Sequence, residues 1–387
     1  MIERAITQEL LTLLAEFPVV TILGPRQAGK TTLAKTVLDS YEYCNLEAPE
    51  TRQFAQEDPK AFLNQFSGKV ILDEIQRVPE ILSYIQIIVD EKKMKGQFVL
   101  TGSHQLALHE AVSQSLAGRT ALLNLYPFSI AELANAGITF PDAESYIFRG
   151  FLPRIYDEEQ RPTQSYSNYF QTYVERDVRR LINLKDVALF ENFMKLLAGR
   201  VGQLMDKVSL ANDVGVSSNT VSNWLSILEA SFVIFKLSPY FENFGKRVIK
   251  SPKYYFVEPG LLAFLLGIES PNQISRDPLV GQMFENLVVC ECLKAQSNAG
   301  KMPNLYFYRD RNGNEVDLLV QKGRGLIAVE IKAASTFNPK LIVSLRKMAS
   351  VTDRLERSYL VYRGESYDFS DDISALPFNN VDKIFSR

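Results

Sequence analysis

The sequence predicts an α/β chain built from a parallel-sheet unit, a helical middle and a second α/β unit. Three observations predict it. First, Gly24-Pro25-Arg26-Gln27-Ala28-Gly29-Lys30-Thr31 reads G-x-x-x-x-G-K-T directly after the apolar run Val19-Val20-Thr21-Ile22-Leu23. Second, Lys69-Val70-Ile71-Leu72-Asp73-Glu74 is an apolar strand that ends in two acids. Third, Asp317, Glu330 and Lys332 form a D…E-x-K pattern over two strand-like runs joined by the glycine turn Lys322-Gly323-Arg324-Gly325.

The first pattern is a strand, a glycine-bounded loop and a helix that starts near Lys30. Successive amides of such a loop point inward and cradle phosphates. The helix N-terminus behind them adds about half a positive charge. Gly24, Arg26, Gln27, Ala28, Gly29, Lys30, Thr31 and Thr32 are therefore the expected nucleotide-binding residues, with ATP and Mg²⁺ as ligands. Lys30 reaches the β- and γ-phosphates, and the Thr31 hydroxyl ligates Mg²⁺. The acid-tipped strand is expected beside the one that feeds the loop, so that both open on one crevice. Asp73 then holds the Mg²⁺ shell, and Glu74 orients the attacking water. A third strand, Gln97-Phe98-Val99-Leu100-Thr101, brings the Thr101 and Ser103 hydroxyls to the same place, as polar sensors or as a tight turn holding its own backbone. Among the arginines, Arg119 is the first candidate to reach the γ-phosphate of a neighbouring copy, ahead of Arg149 and Arg154.

At 387 residues the chain exceeds one ordinary core, and 46% apolar residues suit a globular protein. A net charge of −2 excludes a global basic field, so any nucleic-acid contact must come from local patches. Cys44, Cys290 and Cys292 cannot build a disulfide framework, and with only His104 and His109 besides they do not suggest structural zinc. No apolar run approaches a membrane span, and the N-terminus reads as a charged amphipathic helix, so the cell interior is the expected compartment. Breaker clusters near residues 137–142 and 267–278 divide the chain into 1–136, 137–270 and 271–387.

Residues 208–230 carry a helix-turn-helix pattern. Val208, Leu210, Ala211 and Val214 mark the first helix and Gly215 ends it. Ser217 or Ser218 caps a second helix with Val221, Trp224, Leu225 and Leu228 on one face. Strand-like runs at 232–237 and 253–257 follow, which makes a winged-helix arrangement. The second helix has no Lys or Arg, which argues against base readout. Lys246, Arg247, Lys250 and Lys253 form a basic loop suited to DNA phosphates, or a solvated hairpin tip.

In the last third, a helix over 278–297 carries Glu285. Alternation puts Glu330 and Lys332 on one strand face, with Asp317 opposite on the neighbouring strand. Carboxylates of this kind bind Mg²⁺ and generate hydroxide, while a lysine stabilises transition-state charge. Glu285, Asp317, Glu330 and Lys332 thus fit the PD-(D/E)XK nuclease signature, with Asp317 and Glu330 as metal ligands; an ordinary sheet with a paired Glu/Lys face is the plain alternative.

With these residues in view, the chain resembles the bacterial and archaeal P-loop ATPases of the AAA+ type that carry a C-terminal domain of unknown function. The resemblance rests on residues 24–32, Leu72-Asp73-Glu74, Leu100-Thr101-Gly102-Ser103, Ala117-Gly118-Arg119-Thr120 and Tyr126-Pro127-Phe128-Ser129. It continues through Arg149-Gly150-Phe151-Leu152-Pro153, Tyr173-Val174-Glu175-Arg176-Asp177, Phe284-Glu285-Asn286, Glu315-Val316-Asp317 and Glu330-Ile331-Lys332. It implies a winged-helix middle and a restriction-endonuclease-like C-terminal domain. Glu258 precedes Pro259 where relatives tend to have Asp. Three functions follow as expectations: an ATP-driven motor or switch engaging DNA, with a homo-oligomer in prospect; an ATP-gated endonuclease; or a nucleotide-sensing regulator that binds protein.

Overall fold

Five short segments of the N-terminal third pair side by side in one direction. They are β1 (Val19–Leu23), β2 (Glu42–Asn45), β3 (Val70–Asp73), β4 (Phe98–Gly102) and β5 (Thr120–Asn124), in the order β2-β3-β4-β1-β5. Every neighbouring pair is parallel. β1, β3 and β4 are buried at every residue, the pattern of strands covered on both faces. Leu10 and Leu14 of the Thr7–Glu16 helix and Leu33 and Ala34 of the Lys30–Val37 helix share a core with Val20 and Ile22 of β1.

One expectation is corrected. β3 does not lie beside β1, because β4 runs between them, with Leu100 opposite both Thr21 and Leu72. Three equally apolar strands give no local signal of their order, which is set by the crossover helices. All are parallel, however, so β1, β3 and β4 still deliver their C-terminal ends to one edge, and the insertion places Thr101 between loop and acids.

The structure is a computed structural model that describes residues 2–102, 115–175, 187–240, 250–370 and 372–385. It divides into two compact units: Met1–Phe128 with Ala230–Phe232 and Ser297–Lys301, and Ser129–Glu229 with Val233–Gln296 and Met302–Arg387. Among the described residues no helix is long and apolar enough to cross a membrane.

The second unit starts with a capping box, in which Ser129 and Glu132 satisfy each other's backbone amides at the head of the Ile130–Asn135 helix. Further along, the Lys207–Val214 helix stops at Gly215, whose φ of 83° is left-handed. Ser217 Oγ then accepts the Thr220 amide at 3.1 Å and opens the Ser218–Ala230 helix. The stripe Val221, Trp224, Leu225 and Leu228 is buried as expected, with Trp224 edge-on to Phe190 and Phe193. Val208 is the exception, 61% exposed. The strands after these helices, β6 (Ile234–Pro239) and β7 (Lys253–Phe256), pair antiparallel. They also extend a larger sheet with β8 (Leu305–Arg309), β9 (Glu315–Lys322), β10 (Gly325–Ile331), β11 (Leu355–Tyr362), β12 (Tyr367–Ser370) and β13 (Ile373–Pro377). Its order is β12-β13-β11-β10-β9-β8-β6-β7, and β6 joins β8 through Ser238 opposite Tyr306. Leu345 and Met348 of the Val343–Ala349 helix cover Leu319, Leu326, Ala328 and Leu360 on one face.

Candidate nucleotide site and C-terminal cleft

The phosphate loop is fixed by two glycines and one buried lysine. Gly24 has φ 149° and Gly29 has φ 92°, conformations that side chains resist. A Cβ on Gly24 would lie 2.0 Å from the Leu125 carbonyl oxygen, so no other residue fits there. The loop is braced from below by Arg4, which donates to the Ala28 carbonyl at 2.8 Å and the Tyr126 carbonyl at 2.6 Å. Gln27 and Thr32 face solvent, Arg26 is half-buried and Ala28 is buried. Lys30 opens the Lys30–Val37 helix with its Nζ donating to the carbonyls of Gly24 at 2.9 Å and Pro25 at 2.8 Å. Burial lowers its pKa from 10.5 to about 8, against the pull of Glu74 and Asp73.

Asp73 is the hub of the site. Its carboxylate accepts from Thr31 Oγ1 at 2.9 Å, from the Tyr43 hydroxyl at 2.8 Å and from Thr101 Oγ1. Burial, and then the bond to Asp73, raise the Tyr43 pKa, so the phenol stays a donor. Glu74 follows in a left-handed conformation, φ 59° and ψ 44°, at the head of the Ile75–Arg77 turn. Its amide donates to Thr101 Oγ1 at 3.3 Å, and its carboxylate accepts from the Gln76 amide. A hydroxyl and a carboxylate side by side at the phosphate loop are hard oxygen donors, the set that Mg²⁺ takes. Thr31 and Asp73 would hold that ion.

Of the expected site residues, Lys30, Thr31, Asp73, Glu74 and Thr101 come together, while Ser103 lies outside the described residues. Arg119 enters β5 at the end where β1 begins, with Thr120 opposite Val19. It is therefore about a strand length, roughly 15 Å, from its own phosphate loop. There it makes a two-pronged pair with Asp90 at 2.6 and 2.8 Å. Arg149 lies over the Phe140 ring, and Arg154 pairs with Glu158. Tyr43 and Gln76 escaped the sequence reading: neither belongs to a motif, and only the pairing of β2 with β3 shows that Tyr43 adjoins the acids.

The second site lies in the other unit. Asp317 on β9 and Glu330 on β10 flank the Lys332 ammonium, which stands 3.1 Å from Asp317 and 2.6 Å from Glu330. Asp317 also accepts the Ile331 amide at 2.8 Å. Burial first, and Asp317 second, push the Glu330 pKa up to about 7. Glu285, on the Val280–Asn298 helix, accepts from the Tyr255 hydroxyl at 2.6 Å and from Lys253 at 3.1 Å. Lys253 also pairs with Glu315 at 2.7 Å, and Glu315 with Arg309 at 2.9 Å. A cleft of about 610 Å³ opens here, lined by Lys253, Glu285, Arg309, Glu315 and Lys332 among others.

One expectation changes at this point. Lys253 is not a phosphate contact on a basic loop: its side chain is 3% exposed and committed to two carboxylates, because it begins β7 and faces inward. Lys250 is exposed, and Lys246 and Arg247 lie outside the described residues. Asp317 and Glu330, expected as metal ligands, both face an ammonium. Among the described residues no three His, Cys, Asp or Glu side chains are grouped to hold an ion. Sequence reasoning passed over Glu315, although period-two alternation along β9 puts it on the face of Asp317.

Comparison with known proteins fits this layout. Residues 16–134 match the family described as AAA domain, 140–272 a domain of unknown function (DUF8612), and 280–381 another (DUF4143). The chain is 32% identical over 369 residues to uncharacterized protein Rv2008c of Mycobacterium tuberculosis and, equally, to uncharacterized protein Mb2031c of Mycobacterium bovis. Each alignment covers 94% of this chain and 81% of the relative. Among solved structures, the Walker-type ATPase paby2304 of Pyrococcus abyssi superposes with a TM-score of 0.46 at 15% identity, over 68% of this chain and 96% of that one. With this identity along nearly its whole length, the chain belongs to the family of these mycobacterial proteins, and its residues 16–134, which carry the phosphate loop and the acid hub, match the AAA domain.

Proposed function

We propose that the chain hydrolyses ATP to drive a switch or motor that engages DNA. The observation that carries the ATPase half is the joining of Thr31, Asp73 and Thr101 at the phosphate loop. Bound between Thr31 and Asp73, Mg²⁺ would neutralise phosphate charge. The chain's own groups supply the rest. Loop amides and Lys30 hold the β- and γ-phosphates, with Lys30 exchanging two carbonyl partners for phosphate oxygens. Glu74 accepts a hydrogen bond from the attacking water and aligns it. Thr101, bonded to Asp73 and to the Glu74 amide, ties the ion ligand to the water-directing acid.

The DNA half rests on the helix-turn-helix and on Lys246, Arg247 and Lys250. The Ser218–Ala230 helix turns Ser218, Asn219 and Asn223 to solvent and carries no Lys or Arg, which favours backbone contact over sequence reading. A winged-helix assignment of the helices with β6 and β7 supports the same reading. The test is ATPase rate against duplex, single-stranded and branched DNA, with Lys30→Ala as the blank. Stimulation by one form supports the proposal; turnover indifferent to all of them removes the DNA half and favours a protein-binding regulator.

A second reading, an ATP-gated endonuclease on a restriction-endonuclease-like fold, is favoured by the cleft beside Asp317, Glu330 and Lys332. Nicking of supercoiled DNA that disappears in Asp317→Ala supports it. Equal nicking by parent and variant removes it.

A further inference from the structure

The cleft beside Asp317 carries its positive charge as side chains. Two pairs of carboxylates lie here, Glu285 with Glu315 on the cleft wall and Asp317 with Glu330 beside it. Lys253 bridges the first two, with N–O distances of 3.1 and 2.7 Å, and Lys332 bridges the other two at 3.1 and 2.6 Å. Each ammonium sits where a hard cation shared by two acids would sit. The two bridges differ in origin and in burial. Lys332 is on the C-terminal hairpin and is 36% exposed, whereas Lys253 comes from β7 in the middle of the chain and is 3% exposed. Glu285 has a further partner in Tyr255, and Glu315 in Arg309, so the Lys253 bridge is anchored on both sides.

We infer that Lys253 and Lys332 are the resident cations of this cleft, and that Lys253 is a positioning residue that holds Glu285 and Glu315 in a charge-compensated pair, so that the cleft retains no divalent ion. A phosphate group entering it meets Lys332 and Arg309 on the wall. The inference rests on these ion pairs and not on either functional reading, and its test does not use DNA cleavage. It also gives a role to the sheet that the middle of the chain shares with the C-terminal strands: without β7 the site lacks one of its three cations, Lys253, Lys332 and Arg309.

The experiment is Mn²⁺ titration of the full chain followed by electron paramagnetic resonance, in an Asp73→Asn background that removes the carboxylate at the phosphate loop. The Asp73→Asn protein is expected to hold no Mn²⁺ at submillimolar concentration. Adding Lys253→Met should create a site at Glu285 and Glu315, and adding Lys332→Met a site at Asp317 and Glu330. Each should bind Mn²⁺ at least about tenfold more tightly than the background, because one unit charge beside the ion has gone. Lys332→Met, at the more exposed position, keeps the test alive if Lys253→Met does not fold. Mn²⁺ bound by the background protein and lost in Asp317→Asn would overturn the inference, as would lysine variants that gain no Mn²⁺. Failure to cut any DNA would instead remove the endonuclease reading and leave these outcomes standing.

Discussion

Thr31 Oγ1 stands 2.9 Å from Asp73 Oδ2, although 42 positions separate the two residues in the chain. Parallel strands make this possible, because β1 feeds the loop and β3 ends in the acid on the same edge of the sheet. Asp73 takes hydroxyl bonds from three elements at once: Thr31 at the head of a helix, Tyr43 on β2 and Thr101 on β4. A carboxylate held on three sides is preorganised, and preorganisation is the main source of catalytic power in phosphoryl transfer.

Lys30→Met removes the cation that, on the proposed hydrolysis, meets the transferred phosphate. Turnover is expected to fall about 10²- to 10³-fold, the effect of losing one aligned electrostatic donor. Steady-state phosphate release measures it, and unchanged thermal unfolding separates it from a folding defect.

The lowered pKa of Lys30 gives a signed pH effect. Between about 8 and 10.5 the unfolded chain binds more protons than the folded one, so this group's contribution to stability rises with pH across that window. Below about 8 the lysine is charged in both states and the burial penalty is present in full. Phosphate favours the ammonium, so above about 8 nucleotide binding takes up a proton and weakens with rising pH. Calorimetry at about pH 9 in two buffers of different ionisation enthalpy reads the proton directly. Equal heats in both buffers would contradict it.

Tyr43→Phe deletes one of the three hydroxyl bonds to Asp73 and keeps the ring under Lys35, whose ammonium lies 4.2 Å from its centroid. One hydrogen bond to a charged group is worth about 1.5–3 kcal/mol, of which the free and loaded states share a part. The Mg²⁺ concentration for half-maximal rate is expected to rise ~5-fold, with kcat at saturating Mg²⁺ nearly unchanged. A loss confined to the melting temperature would mean that Tyr43 serves only the fold.

Gly24→Ala places a methyl 2.0 Å from the Leu125 oxygen, and backbone cannot move aside as a side chain can. Destabilisation of about 2–4 kcal/mol is expected from strain and overpacking together. Gly118→Ala is the control: φ is 73° but nothing lies within 4 Å of the new methyl, so only the left-handed penalty of about 1 kcal/mol applies. Denaturant unfolding of the two variants side by side gives the comparison.

The parts of the site that were legible in the sequence are those whose chemistry is local. Gly24, Gly29, Lys30 and Thr31 must be neighbours in the chain to build one loop, and an apolar run ending in Asp73 and Glu74 announces itself. The helix stripe from Val221 to Leu228 was legible for the same reason, a period of 3.6. Position across a sheet is not local. That β4 separates β1 from β3, and that Tyr43 adjoins Asp73, follow from strand order, which periodicity does not encode. Lys253 misled because four cations in eight residues look like a surface; its burial depends on Glu285 and Glu315, which are 32 and 62 residues further on. Val208 misled in the opposite sense, an apolar residue in register with a buried face that ended in solvent.

Glu74 occupies a backbone well made for glycine or asparagine, and an ordinary side chain there carries a strain of about 1–2 kcal/mol. Glycine at this position would relieve the strain and, on the proposed hydrolysis, remove the group that aligns the water. The acid at 74 thus sets local stability against the proposed turnover.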